Sequence, residues 1–600
     1  MRNGWSRWSL PAFLLVVLLI KLIVVAQLQD HPLLAPDAGL DTESYVQLAR
    51  RVLAGDLLLG PGLYYLSPLY IYFLAAVLGL SDSFVFVRVV QVILGTAGVA
   101  CIFSAARTWF GERAAWIAAV LAALTGVLTF FEILILQSAL DTFLTAAALA
   151  ALATALAAEP GPVPGSGNTR LPFATAGLLF GLEMLNRPNA GIAVAGVIAG
   201  LLAVRRIRGA ALLIAGACLA LAPVVARNAI VSRQFALISS QGGLNFYIGN
   251  NPGATGQYLE VPGVRANIEG QADDTRKVAE RAVGHALTDA QVSAYFTGEA
   301  MHWMREHPHQ AVRLFVKKLA LTLNARHQWL DFSYPYYAYD TGSMLWLLAS
   351  GPWLLVPLGV AGLAAGAAAG RRKDYYVWAS FAPWYACGVA VFFVAERYRL
   401  PILVPLSIGA GALLAQAPQW SGRRRAAAAV VVTAGAVVGI WPFGTPDGRF
   451  EERLRLSKVL MNRHDYPAAA SELQAALRLK PADAITEFNL GMALVSAGRA
   501  AEGIEHLRHA VDAGVPVEGA RYALADAMLR TGDAAGAVRL LRTYSPAPGD
   551  SSESCLHVAE LAIEAGAPDV ADRYLRRALE LRPGWEDAER ALAQIRSAGR

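Results

Sequence analysis

The chain reads as all-α: a polytopic bundle of membrane helices, followed from about Phe450 by a soluble array of paired-helix repeats. Three observations lead there. Of the 600 residues, 55% are hydrophobic and 16% charged, with a mean hydropathy of +0.41. Soluble chains carry about 25% charge, so lipid must act as solvent for much of this one. Apolar stretches close to the roughly 20 residues that cross a bilayer recur through the first three-quarters of the sequence, separated by short arginine clusters. Beyond them, the same residue types return every 34 positions.

The net charge of +6 is small for this length. Its arginines sit between apolar runs, which is a topology signal and not a nucleic-acid surface, so no nucleic-acid partner is expected. The four cysteines, Cys101, Cys218, Cys387 and Cys555, are far apart and form no metal-binding spacing, so neither a disulfide framework nor a zinc site is expected.

Candidate spans are 9–28, 84–106, 114–131, 135–157, 172–186, 189–204, 209–226, 344–368, 375–395, 398–417 and 424–442, about eleven in all. The first follows a basic stretch, Met1 to Arg7, and lacks an A-x-A cleavage site, so it is read as an uncleaved helix entering from the cytoplasm. Arg2/Arg7, Arg107/Arg113, Arg205/Arg206/Arg208, Arg371/Arg372/Lys373 and Arg423/Arg424/Arg425 then all fall on the cytoplasmic side. Tyr64 to Leu80 is also apolar, but counting it would place every later cluster outside. It is therefore expected as an interfacial or re-entrant helix, with Tyr64, Tyr65, Tyr70 and Tyr72 near the headgroups. The outer side receives loops 29–83 and 227–343, a short turn near Phe131–Leu134, and the repeats. In a Gram-negative bacterium that side of the inner membrane is the periplasm.

Residues 450–600 carry the repeat. Gly498, Gly532 and Gly566 are 34 apart, as are Leu473, Leu507, Leu541 and Leu575, and Ala469, Gly503, Ala537 and Ala571. Ala476, Ala510 and Ala578 share a register in which Tyr544 replaces the third member, and Pro481 and Pro583 close the first and last units. This period, with small residues where paired helices touch, is the tetratricopeptide signature, and about four units suffice for a stacked core. Such arrays dock a protein or peptide partner.

Candidate chemistry lies on the outer side of the membrane segment 1–449. Asp41 to Val52 has an amphipathic helical pattern, with Tyr45, Leu48 and Val52 on one face and Asp41 at its start. An N-cap role for Asp41 stands beside a catalytic one. Glu132 ends a span in Phe130-Phe131-Glu132, and Asp141 follows about two turns into the next; an acid there is costly unless it meets water or a partner. Ser239 to Pro252 is rich in Gly and Asn, which predicts tight turns around a short strand-like core and no phosphate-cradling loop. Leu314 to Leu323 is a helix too short and too basic to span, so Lys317 and Lys318 are expected at the membrane interface, near lipid phosphates or headgroups. Arg397 and Arg399 join two spans on the outer face, against the positive-inside bias, which points to anion binding.

Taken together, these pieces resemble the bacterial GT-C class membrane glycosyltransferases, in particular the family 39-like enzymes: protein O-mannosyltransferases and the aminoarabinose transferases of lipid A. The resemblance covers most of residues 10–442. It rests on Asp41–Arg51, Tyr-Leu-Ser-Pro-Leu-Tyr at 65–70, Phe-Phe-Glu at 130–132, Asn-Arg-Pro-Asn at 186–189, Asn-Phe-Tyr-Ile-Gly-Asn-Asn at 245–251, Lys317/Lys318 and Arg-Tyr-Arg-Leu-Pro at 397–401. It implies inverting transfer of a sugar from a polyprenyl-phosphate donor in the membrane lipid to an acceptor hydroxyl at the outer face; no cofactor is expected, no metal ligands are assigned, and metal dependence stays open. It further implies Asp41 as general base, Glu132 as second acid, and Lys317, Lys318, Arg397 and Arg399 at the donor phosphate. Tyr45, Tyr65, Arg187, Asn189 and Asn245 are its candidates for lining the substrate cavity. Two departures stand out. The family often has an acidic pair where this chain has Asp41-Thr42-Glu43, which leaves Glu43 as an alternative base. Some members also have a lysine where Ser67 precedes Pro68.

Two other readings compete. An O-antigen ligase or polymerase would need a long outer loop rich in Arg and His, whereas here the acid comes early. A transporter or scaffold presenting the repeats should show symmetry between halves, which the sequence lacks.

Overall fold

The computed structural model describes residues 8–36, 40–157, 170–366, 372–515, 519–543, 545–546 and 550–598. Met1, Arg2, Arg7, Arg371 and Tyr544, named above, lie outside them. The chain divides into two compact units, Met1–Asp447 and Gly448–Arg600.

The first unit is helical. Its elements are α1 (Ser9–Leu28), α2 (Asp41–Leu53), α3 (Pro68–Leu80), α4 (Phe84–Phe110), α5 (Glu112–Ala123), α6 (Gly126–Ile133), α7 (Ser138–Ala157), α8 (Arg170–Asn186), α9 (Ala190–Ala203), α10 (Ile207–Arg227), α11 (Gly242–Gly249), α12 (Ile268–Val283), α13 (Asp289–Glu306), α14 (Pro308–Thr322), α15 (Pro352–Ala365), α16 (Arg372–Ala379), α17 (Phe381–Val391), α18 (Glu396–Gln416) and α19 (Gly422–Ile440). Every predicted span coincides with one or two of these helices. Among the described residues, five helical stretches are long and apolar enough to cross a membrane by themselves: Ser9–Leu28, Phe84–Phe110, Ser138–Ala157, Ile207–Ser232 and Glu396–Gln419. This is a membrane protein.

Three predicted spans change form. The span at 114–131 breaks at Thr125 into α5 and α6. There the Gly126 N–H turns to the Leu348 carbonyl and the Ser350 N–H to that of Leu124, so an irregular segment supplies the partners that the helix gives up. That segment also shortens the span at 344–368, which begins only at Pro352, where proline suits the first helical turn. The span at 375–395 is interrupted at Ser380 and ends at Val391.

Helix α18 runs through the middle of the bundle, buried along nearly its whole length despite Pro401 and Pro405. Small residues permit this. A Cβ at Gly362 of α15 would overlap the Gly409 carbonyl of α18, and one at Gly411 would come within 2.6 Å of the Ala114 carbonyl of α5. Backbones in close contact gain dispersion contacts that bulkier side chains would forbid.

Among the described residues, the arginine clusters gather at one end. Arg206 pairs with Asp374 at 2.8 Å, Arg424 donates to the Ala365 carbonyl, and a Cβ at Gly366 would meet the Phe110 ring near the end of α4. The opposite end carries α2, α3 and α11–α14. As expected, α2 begins at Asp41 and buries Tyr45 and Val52 against the bundle, while α3 covers the apolar stretch excluded from the span count. The strand-like expectation for 239–252 is corrected: residues Gly242–Gly249 are helical. Helix α11 needs glycine because its backbone lies directly on others. A Cβ at Gly243 would overlap the Ser293 carbonyl, and one at Gly249 the Phe392 carbonyl.

The second unit stacks the helices α20 (Arg449–Asn462), α21 (Tyr466–Leu479), α22 (Ala484–Ser496), α23 (Ala500–Asp512), α24 (Ala520–Arg530), α25 (Ala534–Arg542), α26 (Ser552–Glu564), α27 (Pro568–Leu581) and α28 (Glu586–Ala598). These make four hairpins and a closing helix. Gly498, Gly532 and Gly566 turn three of the hairpins with φ of +81°, +85° and +77°, a conformation that costs other residues a Cβ clash. Leu473, Leu507, Leu541 and Leu575 are fully buried between paired helices, and Gly503 lets α22 and α23 touch backbone to side chain. This unit is a tetratricopeptide-type solenoid.

Candidate active site

A cavity of about 770 Å³ opens at the end of the bundle opposite the arginine clusters. Its walls bring together Asp41 and Tyr45 from α2, Arg187 and Asn189 from the α8–α9 turn, Asn245 from α11 and Arg397 from α18. Six candidates that are scattered over 357 positions of sequence, Asp41 to Arg397 inclusive, thus share one chamber.

Asp41 is the first residue of α2, and its carboxylate does not cap the helix. Instead its Oδ2 lies 2.8 Å from Nη1 of Arg397, and the same nitrogen lies 2.7 Å from Oδ2 of Asp331. Two carboxylates therefore share one guanidinium, which is itself mostly buried at 12% exposure. Glu43, the alternative acid, accepts from the Gln47 amide one turn along α2 and is not among the cavity-lining residues. Tyr45 donates its hydroxyl to Gln137 Oε1 at 2.7 Å; burial, and then the Asp41 charge beside it, push its pKa far up, so it stays a neutral donor.

Arg187 is held from behind. Its Nε donates to Asp141 Oδ2 at 2.6 Å, and Asn186 donates to the other carboxylate oxygen at 2.6 Å. The acid that looked costly in the sequence is thus paid for by an arginine and an amide. The guanidinium of Arg187 sits 4.8 Å from the centre of the Tyr398 ring and that of Arg397 sits 5.3 Å from it, so one aromatic ring gathers two cations.

The other candidates lie elsewhere. Glu132, expected as a second acid, is 3% exposed inside the bundle and forms an ion pair with Lys21 of α1. Lys318 is also withdrawn: its Nζ donates to the carbonyls of Gly249 at 3.0 Å and Phe392 at 2.8 Å and to Asn250 Oδ1 at 3.0 Å, tying α14 to α11 and to the end of α17. Burial lowers its pKa to about 7. Arg399 grips Glu396 at 2.7 Å and the carbonyls of Leu321, Asn324 and Arg326, and it lines a different cavity beside His327 and Tyr334. Lys317 is half-buried on α14 and does not line the chamber. Tyr65 faces a neighbouring cavity of about 700 Å³, with its hydroxyl 3.4 Å from Gln271 Oε1, and Gln241 lines both cavities. Of the four basic residues expected at a donor phosphate, the structure brings Arg397 to the chamber. Lys318 and Arg399 are withdrawn because a fully buried cation must direct its donors at fixed acceptors.

Sequence reasoning missed Asp331, Gln137, Tyr398 and Gln241. Tyr398 sat inside a motif already singled out. Asp331 precedes the aromatic run Phe332–Tyr339, which is the one signal that could have found it.

Residues 66–227 match the family model described as dolichyl-phosphate-mannose-protein mannosyltransferase. The chain resembles the GT-C class membrane glycosyltransferases. That stretch runs from the α3 entry, through the Phe-Phe-Glu and Asn-Arg-Pro-Asn motifs, to the end of α10. Among solved structures, the Archaeoglobus fulgidus oligosaccharyltransferase is 15% identical, covering 77% of this chain and 60% of its own length, with a TM-score of 0.41. ArnT from Cupriavidus metallidurans bound to undecaprenyl phosphate is 15% identical over 84% of this chain and 80% of its own, with a TM-score of 0.37. MamA is 16% identical over 26% of this chain and 84% of its own, with a TM-score of 0.23. No curated protein sequence matches the chain.

Proposed function

We propose that the chain transfers a sugar from a polyprenyl-phosphate donor to an acceptor hydroxyl at the outer face of a bacterial cytoplasmic membrane, in one inverting displacement. The observation that carries this reading is the Asp41–Arg397 contact at 2.8 Å inside a polar chamber. A carboxylate and a guanidinium in reach of one another can serve the two ends of such a displacement. Asp41 takes the proton of the attacking hydroxyl as its oxygen bonds to the anomeric carbon. The bond from that carbon to the phosphate oxygen breaks with its electron pair, and Arg397 stabilises the charge that develops on the phosphate. Arg187 adds a second positive charge on the same wall, and Tyr45, Asn189 and Asn245 supply hydrogen bonds to a sugar.

Asp41 is favoured over Glu43 as base because it lines the chamber. Arg397 pairs with Asp41; a donor phosphate competing for that guanidinium leaves Asp41 free to accept a proton, so donor binding precedes proton transfer. The chamber lies at the end of the bundle away from the arginine clusters, which the positive-inside bias assigns to the outer, periplasmic side together with the repeats. The repeats then dock a protein or peptide partner.

The test is a comparison of glycan and glycolipid profiles between cells carrying the wild type and cells carrying Asp41→Asn. Loss of a product at normal protein level is expected; an unchanged profile with folded protein removes the assignment.

A further inference from the structure

The second unit contains a polar cluster unrelated to the membrane chamber. In the first hairpin, Arg453 on α20 and Glu472 on α21 pair at 2.7 Å and brace one helix against the other. One period on, the same two registers hold Glu487 on α22 and His506 on α23, with His506 Nδ1 2.6 Å from Glu487 Oε2. In the third and fourth hairpins these registers hold Arg521 and Leu540, then Cys555 and Tyr574. The contact is thus at first sight an ordinary strut with its charges reversed.

A strut needs two residues, and the second hairpin has a third. His509 follows His506 by three positions and so lies on the same face of α23. At its register the other hairpins carry Ala475, Thr543 and Arg577, none of which reinforces a strut in this way. One ligand atom from each of Glu487, His506 and His509 lies within 4.8 Å of the others. The side chains range from 15% exposed at Glu487 and 29% at His506 to the exposed His509, so an ion can enter without unfolding the hairpin. Two imidazoles and one carboxylate, with a position left open to water, form a ligand set that suits zinc, and imidazole selects this class of ion over calcium or magnesium.

We propose that Glu487, His506 and His509 bind a divalent transition-metal ion of the zinc type, which pins α22 to α23 in the second repeat. The full-length protein, purified in detergent with any histidine tag removed and stripped by chelator, is dialysed against zinc chloride and its metal content measured. The wild type is expected to hold one zinc per chain more than His509→Ala, and both His509→Ala and Glu487→Gln to bind zinc at least tenfold more weakly. His557→Ala, at an exposed histidine of the fourth hairpin, should match the wild type. Because His509 stands outside the strut, its substitution leaves the hairpin contact in place, and an unchanged far-UV spectrum checks this. Cobalt(II) should give a d–d band of a low-coordinate site in the wild type that His509→Ala lacks. Equal zinc content and affinity in the wild type and His509→Ala overturns the proposal.

Discussion

The Nη1 of Arg397 lies 2.8 Å from the Oδ2 of Asp41, joining the start of α2 to the start of the buried central helix α18. A salt bridge at 12% and 19% exposure is only partly screened, so each member shapes the other's chemistry.

Replacing Asp41 by Asn keeps the shape and removes the proton acceptor. Transfer should fall by about 10²–10⁴-fold, the usual worth of a general base, with little change in thermal stability because Asp331 still holds Arg397. Glu43→Gln should leave the rate near that of the wild type. A Glu43 variant as impaired as the Asp41 variant would reassign the base.

Arg397→Ala should do more than slow the reaction. It removes the cation that Asp41 and Asp331 share, and breaking a largely buried ion pair by deleting one partner costs about 3–5 kcal/mol. A lowered melting temperature in detergent, partly restored by combining it with Asp331→Asn, is the expected pattern. If the double variant is no more stable than the single one, the shared guanidinium is not what balances these acids.

Glu132 and Lys21 offer a contrast. Glu132→Gln alone strands a buried lysine and should destabilise by about 3–5 kcal/mol, whereas Glu132→Gln with Lys21→Met should recover most of it. The double variant should also retain transfer. Loss of transfer in a stable double variant would restore a chemical role to Glu132.

Lys318 makes stability depend on pH. Its pKa in the folded protein is about 7, below the roughly 10.4 of a lysine in an unfolded chain. Between those values the unfolded state binds more protons, so stability rises with pH through that window, and the penalty is fully present below it. Lys318→Met should flatten the rise in melting temperature between pH 7 and 10. An equally steep rise in the variant would place the titration on another group.

Much of this protein was determined by its sequence alone. The eleven apolar segments, the clustering of arginines and the 34-residue repeat are local or periodic signals. Lipid requires each span to satisfy its own backbone, so a run of apolar residues becomes a helix whatever its neighbours are. The repeat is legible for a similar reason, since each hairpin packs chiefly on the next one in sequence. What the tertiary structure decided was which cations and acids meet. Lys318, Arg397 and Arg399 look alike as basic residues near outer loops, yet one is clamped by three oxygens, one faces the chamber and one grips Glu396. That sorting depends on contacts between Asp41, Asp331 and Arg397, and between Glu132 and Lys21, whose partners are far apart in the chain. Ion pairing is set by distance in space and by exclusion of water, and neither is written in the order of residues.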